Sequence, residues 1–267
     1  MCGEMKETEE NREKKRVMEA AMRAGQILLA NGAEISRVEE TIDRICGHYG
    51  IESGSAFVLS NGIFITMGDR REEFFAKVQH IPVSGAHLNR VAAVNQLSRE
   101  ISEGKHTVEE LDRCLDDIEQ MPGKRPLIQM LASAVGSGAF CYLFGGALSD
   151  CASAFLSGFI LYACLLHFGG RLSKIVGNIL GGALVTFLCL VMYHMRLGNH
   201  ISSMIIGSVI PMIPGVAFTN AIRDIADGDY IAGSVRMLDA MLVFLSIALG
   251  VGVVFTLYYR MTGGVLL

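Results

Sequence analysis

Asn220, Arg223, Asp224, Asp227, Asp229, Arg236 and Asp239 crowd into one short stretch that follows an apolar run interrupted by Pro211 and Pro214. Carboxylates and guanidiniums at the edge of apolar sequence can hold one another at membrane depth, or pass a proton. Each proline removes a backbone N–H and blocks the helical bond one turn back. In hydrocarbon the carbonyls freed in this way are tolerated only against protein or a water-filled cavity, so the break reads as a permeation or binding site. Pro211, Pro214, Gly215, Thr219 and Asn220 are the candidate contacts for a polar solute. Arg223, Asp224, Arg236 and Asp239 are the candidates for ion coupling or gating: Arg223 with Asp224 and Arg236 with Asp239 could pair across the facing ends of the fourth and fifth spans, or form ordinary salt bridges at helix ends in a loop. Asp150 joins them, because it stands alone at the turn after Gly145-Gly146, as either a solvated loop acid or a gate.

Other chemistries find no support in residue spacing. The seven cysteines form no CxxC pair, and Cys141, Cys151, Cys164 and Cys189 sit in apolar segments, where cysteine acts as a small hydrophobe. His48, His80, His87 and His106 lack the i,i+4 spacing of a metal site, so neither metal nor cofactor is expected. No serine, cysteine or metal constellation has catalytic spacing, which argues against an enzyme. Basic residues are offset by acids throughout, which disfavours nucleic acid as a partner. The start of the chain, MCGEMKETEENREKKR, mixes both charges without an apolar run, so the first domain is expected to stay in the compartment where it is made.

These candidates must be positioned by two unlike halves. Residues 1–126 carry 17 Lys or Arg and 22 Asp or Glu, whereas 127–267 carry 6 and 5, and no Glu follows Glu119. The expected fold is therefore an α+β cytoplasmic domain, 1–126, followed by an all-α transmembrane domain of five helices, 127–267. In the first, residues 1 to about 12 read as a frayed end. Val17, Ala21, Ala24 and Leu28 predict a helix stopped by Asn31-Gly32, and Ile35, Val38, Ile42, Ile45 and Tyr49 predict a second closed by Gly50. Strands are expected over Ser53–Ser60 and Ile63–Met67 around an Asn61-Gly62 turn, with a third over about Glu73–His80 after a turn at Gly68-Asp69. Beyond Pro82, Leu88 to Ile101 predicts a helix ended by Gly104, and Thr107 with Glu110 forms a capping box for the next. Glu34, Arg37, Glu39 and Glu40 cluster where the helix dipole favours acids, or where a ligand could bind.

In the second half, spans are drawn over Leu127–Leu148, Cys151–Phe168, Ile175–Met195, Ile201–Ile222 and Gly233–Tyr259. Placing the first domain in the cytoplasm puts Lys124, Arg125, Arg171, Lys174, Arg223 and Arg236 inside, against Arg196 and Arg260 outside, as the positive-inside rule prefers. Gly136, Gly138, Gly145, Gly146, Gly158, Gly177, Gly181 and Gly182, with Ser133 and Ser137, predict close helix packing.

LLANGAEISRVEE (Leu28–Glu40), the Asn61-Gly62 hairpin, LNRVAAVNQLSREISEG, PMIPG (Pro211–Gly215), TNAIRDIADGD and GSVRMLDA together resemble the threonine/serine exporter (ThrE) family. The likeness is closest to its split form, in which the N-terminal half is a separate, YjjP-like protein. The resemblance implies a proton-coupled exporter of small polar solutes in the bacterial inner membrane, threonine and serine first, with a dicarboxylate such as succinate as the alternative. It also implies a second small five-span membrane partner, and a homo-oligomer fits as well. A reading of another class is a membrane-tethered ligand-binding or regulatory module, against which the broken span argues, since an anchor gains nothing from the break.

Overall fold

The computed structural model describes residues 2–51, 55–67, 75–81 and 87–262. Two helices, α1 (Cys2–Ala30) and α2 (Ile35–His48), precede strands β1 (Ser55–Leu59), β2 (Gly62–Met67) and β3 (Phe75–His80), then α3 (Leu88–Ser102) and α4 (Val108–Glu119). The apolar helices are α5 (Pro126–Leu143), α6 (Leu148–Phe168), α7 (Lys174–His194) and α8 (Ile201–Val209). A 3-10 turn at Ile210–Met212 leads to α9 (Gly215–Ala226) and α10 (Tyr230–Met261). Packing divides the chain into two compact units: Met1–Gly123 with Val216–Met237, and Lys124–Gly215 with Leu238–Leu267. Composition draws its boundary once, at 126/127; packing adds residues 216–237 to the first unit.

In the first unit, α1 starts at Cys2, so the charged segment read as frayed is helical. It stops at Gly32, whose φ of +84° suits a residue without Cβ. There Ala33 N–H reaches the Leu28 carbonyl and Gly32 N–H the Leu29 carbonyl, the double bond of a Schellman cap. The apolar faces of the helices meet in one core containing Met18, Met22 and Leu28 of α1, and Ile35, Ile42 and Ile45 of α2. Leu97 and Ile101 of α3, Leu111 and Leu115 of α4, and Ala232 of α10 complete it. Each fully buried Leu or Ile contributes about 1.5–3 kcal/mol. A fork from Arg23 ties α1 to α4, with Nε 2.9 Å from Glu119 Oε1 and Nη2 2.5 Å from Asp116 Oδ1. The capping box holds, since Thr107 Oγ1 accepts from Glu110 N–H and the Glu110 carboxylate from Thr107 N–H.

The sheet is antiparallel in the order β1-β2-β3. Leu59 pairs with Gly62, so the hairpin loop is Ser60-Asn61, one residue earlier than the Asn-Gly signal suggests. Neither loop residue takes the positive φ that a type I′ turn needs. Val58, Ile63 and Ile65 face the core, while the row Phe57, Phe64 and Val78 is exposed on the other face. The expected turn at Gly68-Asp69, the starts of two strands at Ser53 and Glu73, and Pro82 lie outside the described residues.

In the second unit, α5 and α6 approach closely because glycines face the partner helix. A Cβ on Gly138 would stand 3.2 Å from the Cys151 carbonyl oxygen, and one on Gly158 would collide with Ser137 Oγ at 2.1 Å. Gly181 and Gly182 similarly receive Met212 and the Ile247 backbone. Gly136 and Gly177 face open space, and Gly145 serves a turn at φ +85°, so these three do not support close packing. Among the described residues four helices, α5, α6, α7 and α10, are long and apolar enough to cross a membrane. The remaining expected span, Ile201–Ile222, is the bent pair of α8 with its 3-10 turn and α9, interrupted at the prolines.

Candidate functional site

The proline segment breaks where expected. Regular helix ends at Val209, Pro211 lies in the 3-10 turn, Ile213 is extended at φ −68° and ψ 125°, and helix resumes at Gly215. Pro211 has no N–H to offer the carbonyl of Gly207, four residues back. Pro211, Pro214 and Gly215 belong to the second unit, whereas Thr219 and Asn220 belong to the first.

Within the first unit the polar cluster closes on the turn between α1 and α2. Asn220 Nδ2 donates to the Gly32 carbonyl at 2.7 Å, and Arg236 Nη2 donates to that of Ala33 at 3.1 Å. Arg223 Nη1 lies 2.8 Å from Glu34 Oε1. Asp224 Oδ1 accepts from Ile35 N–H at 3.1 Å, and its Oδ2 from Arg236 at 2.8 Å. Glu34 precedes α2 without capping it through its side chain, so Asp224 supplies the acceptor that the helix start lacks. Of the pairing expected across the ends of the fourth and fifth spans, one bridge forms, from Asp224 to Arg236, while Arg223 and Asp239 find partners elsewhere. Asp224 pairs with Arg236 and Arg223 with Glu34, because α9 and the start of α10 fold onto the α1–α2 turn. Asp239 pairs at 2.5 Å with Lys174 of the second unit, both side chains being exposed.

The acids of α2 divide by what they touch. Glu39 Oε1 accepts from Val58 N–H, fastening the start of α2 to β1; burial raises its pKa, opposed by that N–H. Glu40 pairs with Arg44 on the helix surface.

Asp150 lies in the first turn of α6 and is wholly buried, rather than solvated in a loop. Its Oδ2 accepts from Ala147 N–H at 2.8 Å and meets His200 Nδ1 at 2.7 Å. Its Oδ1 accepts from the N–H groups of Asn199 at 2.5 Å and His200 at 3.1 Å. Asp150 thereby holds the α7–α8 connection to the head of α6. Sequence reasoning missed His200, which lies 50 residues away in a connection with no periodicity to mark it.

Buried hydroxyls form a polar seam among α5, α6, α7 and α8. Ser133 Oγ donates to the Gly158 carbonyl at 3.0 Å, and Thr186 Oγ1 to that of Gly182 at 2.8 Å. Ser157 and Ser208 each lie 3.8 Å from Cys189 Sγ. No group of three or more metal-ligating side chains occurs among the described residues.

Apolar helices of spanning length, with small residues at their contacts and a proline break in the chain between α7 and α10, define a multi-pass membrane protein. The chain belongs to the ThrE threonine/serine exporter family, whose sequence profile matches residues 19–258. It is 25% identical over 244 residues to a threonine/serine exporter of Corynebacterium glutamicum, an alignment covering 88% of this chain and 50% of that protein. The chain thus spans about half the length of that relative. No solved structure matches it.

Proposed function

We propose that this chain is one half of a secondary exporter of small polar metabolites, threonine and serine first. It sits in a bacterial inner membrane with its first unit cytoplasmic, draws on the proton gradient, and works with a separate five-span membrane protein as the other half. The observation that carries this reading is the helix break at Pro211–Pro214 in apolar sequence, which leaves the Gly207 carbonyl without its helical donor. An alignment that covers only 50% of the Corynebacterium glutamicum relative supports a second half. Asp150 is the proton-coupling residue this reading favours, being buried against the His200 ring, which is itself open to solvent. L-Threonine counterflow in membrane vesicles carrying both halves tests the reading. Pro211→Ala with Pro214→Ala should lower the rate at least about tenfold, as expected when the geometry of a contact site is lost. Equal counterflow in parent and variant would remove the break from the mechanism. A chain that merely binds or senses would show no counterflow at all.

A further inference from the structure

We infer that the solute contact lies one turn before the break, at Ser137, Ser157, Cys189 and Ser208, and that it takes a small zwitterion rather than a dianion. This rests on the export reading. The four side chains come from α5, α6, α7 and α8, and each is buried within the second unit. Their mutual bonds are poor. Ser157 Oγ faces two sulfurs, Cys189 Sγ at 3.8 Å and Met192 Sδ at 3.7 Å. Ser208 Oγ has the same thiol at 3.8 Å and the Ala154 carbonyl at a long 3.4 Å.

Ser137 Oγ has no partner and no exposure, and points at Gly158, the neighbour of Ser157. On the α8 side the Ser137 backbone packs against Gly207, the neighbour of Ser208. A buried hydroxyl without a bond costs about 1–3 kcal/mol, and weak contacts to sulfur recover little of that. A solute with its own donors and acceptors replaces these contacts with strong ones, so the seam binds solute better than it binds itself.

Charge sets the solute class. Along these four helices the one Lys or Arg is Lys174, exposed at the first residue of α7 and paired with Asp239. No fixed cation meets the seam among the described residues, so a dicarboxylate would lose its hydration without a counter-charge. The C-terminal end of α8, just past Ser208, carries the negative end of its helix dipole, which favours an ammonium group.

Ser137→Ala separates a solute contact from a packing role. Removing an unbonded hydroxyl leaves the melting temperature in detergent unchanged or raised, while KM for L-threonine counterflow rises about tenfold, the loss of one good hydrogen bond to the solute. A KM within about twofold of the parent overturns the site. In a full chain with Cys2, Cys46, Cys114, Cys141, Cys151 and Cys164 replaced by alanine, alkylation of Cys189 by N-ethylmaleimide should slow several-fold with L-threonine and not with succinate. No slowing by L-threonine, or equal slowing by succinate, overturns the assignment. If parent vesicles show no L-threonine counterflow, the export reading fails and takes the site with it. If counterflow persists while Ser137→Ala and Cys189 are indifferent, the site alone falls.

Discussion

Asp224 and Arg236, twelve residues apart, form a buried ion pair of 2.8 Å in which Asp224 also accepts from the first N–H of α2 and Arg236 also donates to the carbonyl of Ala33. The pair is thus one bolt through three pieces of chain: the α1–α2 turn, α9 and the first two turns of α10. Of the sequence pieces that contain it, LLANGAEISRVEE lies far up the chain from the neighbouring TNAIRDIADGD and GSVRMLDA, and all three meet here.

Breaking that bolt from one side leaves a buried charge behind. Asp224→Ala or Arg236→Met alone should cost about 3–5 kcal/mol, the usual result of stranding one partner of a buried pair. The double variant should lose clearly less than the sum of the two. Thermal unfolding in detergent reads this as a positive coupling energy, and simple additivity would show that the two side chains do not act together. The exposed Lys174–Asp239 pair is the control, and removing it should change stability by less than about 1 kcal/mol.

Asp150 accepts three backbone N–H groups and a ring nitrogen from a fully buried position. Asp150→Ala should cost more than about 3 kcal/mol, since hydrogen bonds to a charged group are each worth about 1.5–3 kcal/mol. Asp150→Asn keeps part of the acceptance and should cost less, and His200→Gln less still. Protease sensitivity of the α7–α8 connection should rise in the same order. A His200 variant as damaged as Asp150→Ala would shift the anchor from the backbone bonds to the ring.

Arg196, which ends α7, holds φ at +58°, the sole positive value on a non-glycine among the described residues. Its N–H and that of Leu197 close the same double-bonded cap that Gly32 closes on α1. An L-residue in this conformation costs about 1–2 kcal/mol, so Arg196→Gly should raise the melting temperature. A fall would mean that the guanidinium makes a compensating contact.

In the capping box, Glu110 sits below the usual carboxylate range, first because its carboxylate accepts from Thr107 N–H and then through the Thr107 hydroxyl. A depressed folded-state pKa contributes stability above the unfolded value, and that contribution is lost as pH falls through the folded one. Amide protection at the start of α4, measured relative to the intrinsic exchange rate at each pH, should therefore fall on acidification below the ordinary glutamate range, and Glu110→Gln should remove that dependence. Thr107→Ala should cost about 1 kcal/mol at neutral pH.

Much of the fold is legible in one dimension because its signals are local. Gly32, Gly50 and Gly104 each stop a helix with positive φ, Thr107 and Glu110 cap one, and two prolines break one, all through bonds within a few residues. The hairpin shows the limit of that logic. Asn61-Gly62 announces a turn, but pairing of Leu59 with Gly62 sets its register one residue earlier.

Charge partners were the least legible. Composition alone determined that the chain divides into a charged half and an apolar half, and backbone chemistry alone determined that the apolar half contains a broken helix. Which acid meets which base was decided by tertiary structure, which gave Asp224 to Arg236, Arg223 to Glu34, and Asp150 to His200. The reason is range. Helix stops and caps are closed by neighbours in the chain, whereas an ion pair forms wherever packing brings two side chains within about 4 Å, at any sequence distance.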